Sequence, residues 1–415
     1  MYGTSELRLG AISSREKQAG AALLVILLLL ISASSFLFVK NLNRGIGFRG
    51  EDAMATASAL AEAKAALIGR ALTDNNRPGS LPCPDTNNDG VPEIFVGSNC
   101  PSYAGRFPWR TLQPGDLRDA DGERLWYGLT STLRDNTSAQ PINSATPGQL
   151  LVDGAIGDVV AVLIAPGTPF AGQNRNAGPN SAINYLEDDN NNGDNKFVTT
   201  AAGNFNDRLI FITRQELMAA VEKRVLGEIR QILRAYYQNS DPTPANRFYP
   251  YAAALGTRVG VEGLRQGFLP LDTLPVPPPP GPSAHPNPTI SVPSWFTNPP
   301  GIPTPTNDWE QFVFYAIGTD CIFANKGCNS TNPSDFLTVG TTQNINALVI
   351  SAGRAITAAP YAVSKGSAQD RTSLPPQPAN EYLDSVENTN SDDTYDAVGT
   401  QVTSGYNDQM KIIAP

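Results

Sequence analysis

The chain repeats itself, and a repeat constrains the fold more than any single segment, because two copies of one pattern call for two copies of one solution. Residues 184–214, "NYLEDDNNNGDNKFVTTAAGNFNDRLIFITR", have a counterpart in residues 381–415, "EYLDSVENTNSDDTYDAVGTQVTSGYNDQMKIIAP". Both begin at Tyr-Leu-acid, cross an Asn/Asp-rich loop and end at Asn-Asp followed by an apolar run. Upstream, "ERLWYGLT" parallels "QFVFYAIG", and "DVVAVLIAPG" parallels "INALVISAGR". Short apolar and aromatic runs bounded by Gly, Pro and Asn are strand signals.

Each half also opens with a helix. In "EDAMATASALAEAKAALIGRALTDNN", Ala53, Ala57, Leu60, Leu67 and Ala71 recur at steps of three and four. Lys64, the polar member of that stripe, can lay its stem along the apolar face. Glu51 and Asp52 suit the positive helix end. In the second half Thr213 and Glu216 form a capping box ahead of "LMAAVEKRVLGEIRQILRAYY". Met218, Val221, Val225, Ile229, Ile232 and Tyr236 make its apolar face. The order helix, long loop, aromatic strand, apolar strand, Asx-rich loop, final strand predicts a helix packed on a small antiparallel sheet, twice. The second half adds a proline-rich insertion at 275–305, which can be neither helix nor central strand.

The first forty residues belong to neither copy. Ala21 to Val39 contains no charge, and as a helix it would be about 28 Å long, enough to span a bilayer core. The leader before it carries Arg8, Arg15 and Lys17, the cationic side that stays in the cytoplasm. A cleavable secretory signal has a shorter apolar core followed by a small-x-small site, whereas Ser32-Ala33-Ser34 lies inside this run. Gly45, Gly47 and Gly50 then loosen the helix before the amphipathic segment. The expected fold class is α+β: a long N-terminal membrane-spanning helix followed by two tandem modules. The expected divisions are a leader at 1–20, a spanning helix at 21–40, a first module at 41–214 and a second at 215–415.

A short basic leader ending in Gly20, an apolar helix starting at Ala21 and an amphipathic continuation resemble type IV pilin and pseudopilin precursors. The resemblance covers the N-terminal fifth of the chain or less. It implies cleavage by prepilin peptidase between Gly20 and Ala21, and two pilin-like modules beyond. Its other implied partners are further pilin or pseudopilin subunits and an inner-membrane assembly platform. Major pilins usually have Phe first and Glu fifth after the cut, where this chain has Ala21 and Val25. Without that carboxylate, buried amines along a filament lack a partner, which is costly. The resemblance therefore implies a low-copy minor or tip subunit of a type IV pilus or type II secretion pseudopilus. It would be single-pass in the inner membrane with a periplasmic head, or extracellular in a filament. Two rival readings are a single-pass anchored periplasmic protein and an exported carbohydrate-acting enzyme or adhesin.

Composition narrows the chemistry. A net charge of -9 disfavours a phosphate-tracking nucleic-acid binder. The one histidine, His285, sits among prolines, and no P-loop, G-x-S-x-G or H-E-x-x-H occurs. The expectation is a protein that is not an enzyme. Trp109, Trp126, Tyr127 and Phe314 fit packing better than a sugar platform. The four cysteines, Cys83, Cys100, Cys321 and Cys328, show no zinc spacing and point to two disulfides in an exported protein. Local pairing, Cys83 with Cys100 and Cys321 with Cys328, is favoured among three connectivities.

The sharpest ligand motif is "CPDTNNDGVPE". Asp85, Asn87 and Asp89 stand at positions one, three and five, Gly90 at six and Glu93 at nine, a spacing that lets oxygens converge on calcium. "DDNNNGD" sets Asp188, Asn190 and Asn192 at the same spacing. Asx-turns are the competing explanation for both.

Overall fold

The computed structural model describes residues 50–136, 142–176, 181–255, 257–271, 290–297, 309–325, 327–371, 378–396 and 405–413. The leader, Gly20, Ala21, the apolar run at 21–39 and His285 lie outside them. So does most of the proline-rich insertion.

Helix α1 (Gly50–Thr73) buries the expected stripe of Ala53, Ala57, Leu60, Leu67 and Ala71, widened by Ala59 and Ala63. It lies on a six-stranded sheet made of β1 (Ala104–Arg106), β2 (Trp126–Leu129), β3 (Leu150–Val152), β4 (Ile156–Ala165), β5 (Lys196–Phe197) and β6 (Arg208–Thr213). A four-residue helix, α2 (Trp109–Leu112), lies between β1 and β2. Strand β4 is the spine. Strands β2 and β3 pair with its two ends and β6 with its other edge, all antiparallel, while β5 runs parallel to β3.

The second unit opens with α3 (Arg214–Ser240). Its main sheet runs β13 (Gln409–Ile413), β11 (Ala347–Ser351), β8 (Val313–Ile317), β7 (Gln266–Phe268). Beside it β9 (Leu337–Val339) pairs antiparallel with β10 (Thr342–Ile345) and parallel with β12 (Thr394–Tyr395). The pairings match those of the first unit strand for strand, with β10 and β11 together standing where β4 stands. Asp158 and Asn344 sit at corresponding places in these spines, and both have positive φ, 59° and 60°.

The registers agree too. Tyr127 pairs with Gly105 on one side and Leu163 on the other, and Tyr315 with Gly267 and Val349. Each tyrosine is fully buried and donates its hydroxyl to a proline carbonyl, Pro82 at 3.2 Å and Pro250 at 3.1 Å. A buried phenol needs such a partner.

The expected fold class needs correction in two respects. Among the described residues no helix is long and apolar enough to cross a membrane. The longer helices are α1 and α3, and α1 carries Glu51, Asp52, Glu62, Lys64 and Arg70, which hydrocarbon would not tolerate. The architecture of the described residues is α+β with three helices and several sheets. The sheets are mixed, because each Asx-rich loop returns the chain alongside β3 or β9 in the same direction.

The two units share one core. Helix α3 packs on β11 and β13 and also touches α1, β4 and β6. It therefore buries Leu217, Leu226 and Leu233 besides the predicted Met218, Val221, Val225, Ile229 and Tyr236, while Ile232, also on the predicted face, is half-buried. Thr213 Oγ1 accepts the Glu216 amide at 3.2 Å, as the capping box requires. The Glu216 carboxylate instead meets Lys64 at 2.8 Å, and Lys64 also donates to the Phe211 carbonyl at 2.9 Å, tying α1 to α3. Within the insertion, the described residues 290–297 are anchored in the core, with Ile290, Trp295 and Phe296 buried.

Candidate functional site

Charge collects where the units meet. A cleft of about 320 Å³ lies between them. One wall is Asp158 on β4 with Arg214 and Glu222 on the first turns of α3, and the other is the segment 354–359, led by Arg354, with Asn407.

The backbone places these groups before any side chain chooses a rotamer. Asp158 sits at a left-handed kink in β4, and its neighbour Val159 pairs with Thr213, the N-cap from which Arg214 projects. Asp158 Oδ2 accepts from Arg214 Nε at 2.8 Å and from Arg354 Nη1 at 2.8 Å, and its Oδ1 accepts the Gly148 amide at 2.9 Å. Burial pushes this carboxyl up, but Arg214, the Gly148 amide and Arg354 outweigh it and hold it below its ordinary value. Burial and the neighbouring Arg214 charge lower Arg354, against the pull of Asp158.

Behind this trio lies a second acid. Arg214 Nη1 donates to the Ser144 carbonyl at 2.7 Å, and the Ser144 hydroxyl donates to Glu222 Oε1 at 2.6 Å. Glu222 is 4% exposed. Burial raises it to about 7, with Ser144, Arg214 and Arg371 opposing. Arg214 is buried and spends its nitrogens on Asp158 and the Ser144 carbonyl, so the groups the cleft has for a small polar ligand are the exposed Arg354 guanidinium and the Glu222 carboxyl. Gly157, Asp158 and Thr213 of the first unit close one side of the cleft, and the second unit supplies the rest of the lining.

None of the ligand candidates drawn from the sequence motifs lies here. Asp85 is buried, its Oδ1 accepts the amides of Asn87 and Asn88 at 3.0 and 2.6 Å, and its Oδ2 accepts that of Gly90 at 2.6 Å. Asn87 and Asp89 each accept an amide two residues on, and Glu93 Oε1 accepts from Thr86. In the second loop Asp188 and Asn192 are exposed, while Asn190 is buried against Val198 and Asp207. Among the described residues no group of three or more His, Cys, Asp or Glu side chains is placed to hold a metal ion. Trp126, Tyr127 and Phe314 are buried core residues.

The cysteines form Cys83–Cys100 and Cys321–Cys328. Two disulfides belong to a chain that folds in an oxidising compartment, periplasmic or extracellular.

Comparison with protein-family models, curated proteins and solved structures finds no match. The cleft residues were hard to find from sequence, being drawn from four distant segments. Glu222 alone left a signal. It stands four residues after Met218 and one after Val221, a charge set within the apolar stripe of α3.

Proposed function

We propose that the protein is a low-copy structural subunit of a type IV pilus or type II secretion pseudopilus, processed between Gly20 and Ala21. The observation that supports this reading is the leader. Arg8, Arg15 and Lys17 precede Gly20, an uncharged run begins at the next residue, and an amphipathic helix follows. A simple anchor leaves the glycine boundary unexplained. An ordinary signal peptide leaves the length of the run unexplained. On this reading the chain is delivered to the inner membrane, where prepilin peptidase acts and the assembly platform receives it. The disulfide-bonded units lie on the periplasmic side or on a filament, with other pilin or pseudopilin subunits as neighbours. The cleft between the units is the surface such a subunit would present. Val25, in place of the usual glutamate, favours a subunit that is not copied along the shaft.

The test is the N-terminus of the mature protein, read by mass spectrometry of membrane fractions. The expected chain begins at Ala21 and disappears when prepilin peptidase is removed or Gly20 is replaced by a bulky residue. A chain beginning at Met1 or Tyr2 would leave only an anchored protein. One beginning near Ser35 would mean ordinary export and release.

A further inference from the structure

The units repeat a buried pair of acids, one on the Tyr-Leu-acid turn and one just before the final strand. In the first unit Glu187 Oε2 accepts the amides of Asn206 and Asp207, both at 3.1 Å, and Asp207 Oδ2 accepts the Glu187 amide at 2.9 Å. In the second, Asp384 Oδ2 accepts the Asn407 amide at 2.7 Å and Asp408 Oδ2 accepts the Asp384 amide at 2.8 Å. A glutamine braces each pair, Gln173 donating to Glu187 at 2.7 Å and Gln369 to Asp384 at 3.1 Å. Two acids held backbone-to-side-chain in this way must lie side by side.

The second pair is the more enclosed, with Asp384 at 0% and Asp408 at 1% exposure. Both Asp384 oxygens and Asp408 Oδ2 have donors, but Asp408 Oδ1 is buried without any. Facing the pair are Arg371, Tyr406 and the Asn388 amide, and Glu222 is near enough to feel both Arg371 and Asp384. Arg371 does not rescue the orphan oxygen. Its nitrogens donate to the carbonyls of Glu381, Gly353, Ala352 and Tyr382 at 2.7–3.0 Å. Nor does Asn388, whose Nδ2 makes no hydrogen bond; in the first unit Asn190 reaches Asp207 Oδ2 at 2.9 Å and leaves Asp207 Oδ1 buried without a donor in the same way.

We infer that Asp408 carries a proton on Oδ1 in the folded protein at neutral pH, making the Asp384–Asp408 pair a built-in proton-binding site. Two adjoining charged carboxylates, desolvated and without a hydrogen-bonded cation, repel strongly, and a proton on one of them removes one charge. A divalent cation takes six or more oxygens, whereas one uncommitted oxygen suits a proton. Burial and the Asp384 charge push Asp408 well above the ordinary carboxyl range, against the Asp384 amide, Arg371 and Asn388. A carboxyl raised by folding contributes stability that is fully present below its unfolded value, near 3.8. That contribution is lost as pH rises toward the folded value. The unit is therefore tightened by acid and loosened by alkali.

The experiment compares the full-length chain with its Asp408→Asn variant, whose amide mimics the protonated acid. The melting temperature of the variant should exceed that of wild type by a margin that grows with pH, reaching about 3 °C or more at pH 8. The infrared difference spectrum at pH 7 should show loss of one un-ionised carboxyl band. Asp384→Asn, which removes the like charge but not the burial, should move the loss of that band to lower pH. A variant less stable than wild type at every pH, with no band lost, would overturn the proposal. So would wild-type melting at pH 8 that calcium raises and EDTA lowers while the Asp408→Asn variant does not respond, which would put a cation where we place the proton.

Discussion

The first unit fills with charge a position that the second fills with hydrocarbon. Arg106 on β1 and Phe268 on β7 occupy the same register opposite Trp126 and Phe314. Arg106 is 2% exposed and lies 4.3 Å from the Trp126 ring and 4.0 Å from the Tyr185 ring, while Phe268 meets the Tyr185 counterpart, Tyr382, edge-on at 5.2 Å. Burial lowers Arg106 to about 10, with Tyr185 and Glu123 pulling it up. Stacking between two aromatic faces lets a guanidinium stand where a phenyl ring stands in the sister unit. The backbone pairing survives this exchange, so the frame must be set by features common to both units.

The glycines opposite the buried tyrosines are the strongest of these. A Cβ on Gly105 would stand 2.6 Å from the Asp85 carbonyl oxygen, and one on Gly267 would stand closer still to that of Ala253. The obstacle in each case is backbone, which cannot swing aside. We expect Gly267→Ala to destabilise the protein by about 3 kcal/mol or more, and Gly105→Ala by about 2 kcal/mol. Urea unfolding followed by tryptophan fluorescence would measure both. A neutral Gly267→Ala would show that the close approach of the chain before β7 is dispensable, and that the two frames are less alike than their registers indicate.

The disulfides sharpen the contrast, because they are not equivalent. Cys83–Cys100 spans 17 residues ahead of β1, and Cys321–Cys328 spans 7 residues after β8. Loop-closure entropy makes the longer loop worth about 3 kcal/mol and the shorter about 2.5 kcal/mol. Replacing each pair by serines should therefore destabilise both variants, Cys83→Ser/Cys100→Ser slightly more, as read by denaturant midpoint. A much larger loss for the shorter loop would mean that it holds a part of the second unit that the core does not.

Local pattern was legible in the sequence, and convergence was not. The helix stripes of α1 and α3, the capping threonine Thr213 and the aromatic strand centred on Tyr127 and Tyr315 all rest on interactions within a few residues or on simple periodicity. The parallel pairing of β3 with β5 and β9 with β12 depends on where a long Asx loop lands, which no periodicity encodes. The burial of Leu217, Leu226 and Leu233 follows from α3 being enclosed by both units, so the amphipathic reading showed only one of its apolar sides. The cleft was least visible, because Asp158, Arg214, Glu222 and Arg354 meet only after both spines are folded.

The Asx loop of the first unit marks the smallest expected difference. Ala253 stands where Asp85 stands, each bridging to the first strand of its sheet. The extra loop closes on Asp85, which accepts three amides, and Arg124 brings its guanidinium to Asn88, donating to its carbonyl at 2.8 Å and to its side-chain oxygen at 3.0 Å. The Arg124 charge also acts on Asp85, so part of the positive charge that calcium would bring to that carboxylate is supplied by the protein. A loop site of the weak extracellular kind has a Kd of ~10⁻⁴ M, so ~10 mM calcium would add about 2.7 kcal/mol if such a site formed. With the amides and Arg124 already in place, we expect calcium at that concentration to move the melting temperature of the full-length chain by less than about 1 °C. A rise of several degrees, abolished by Asp85→Asn, would show that the cation competes successfully for these oxygens and that the amide pattern is only its scaffold.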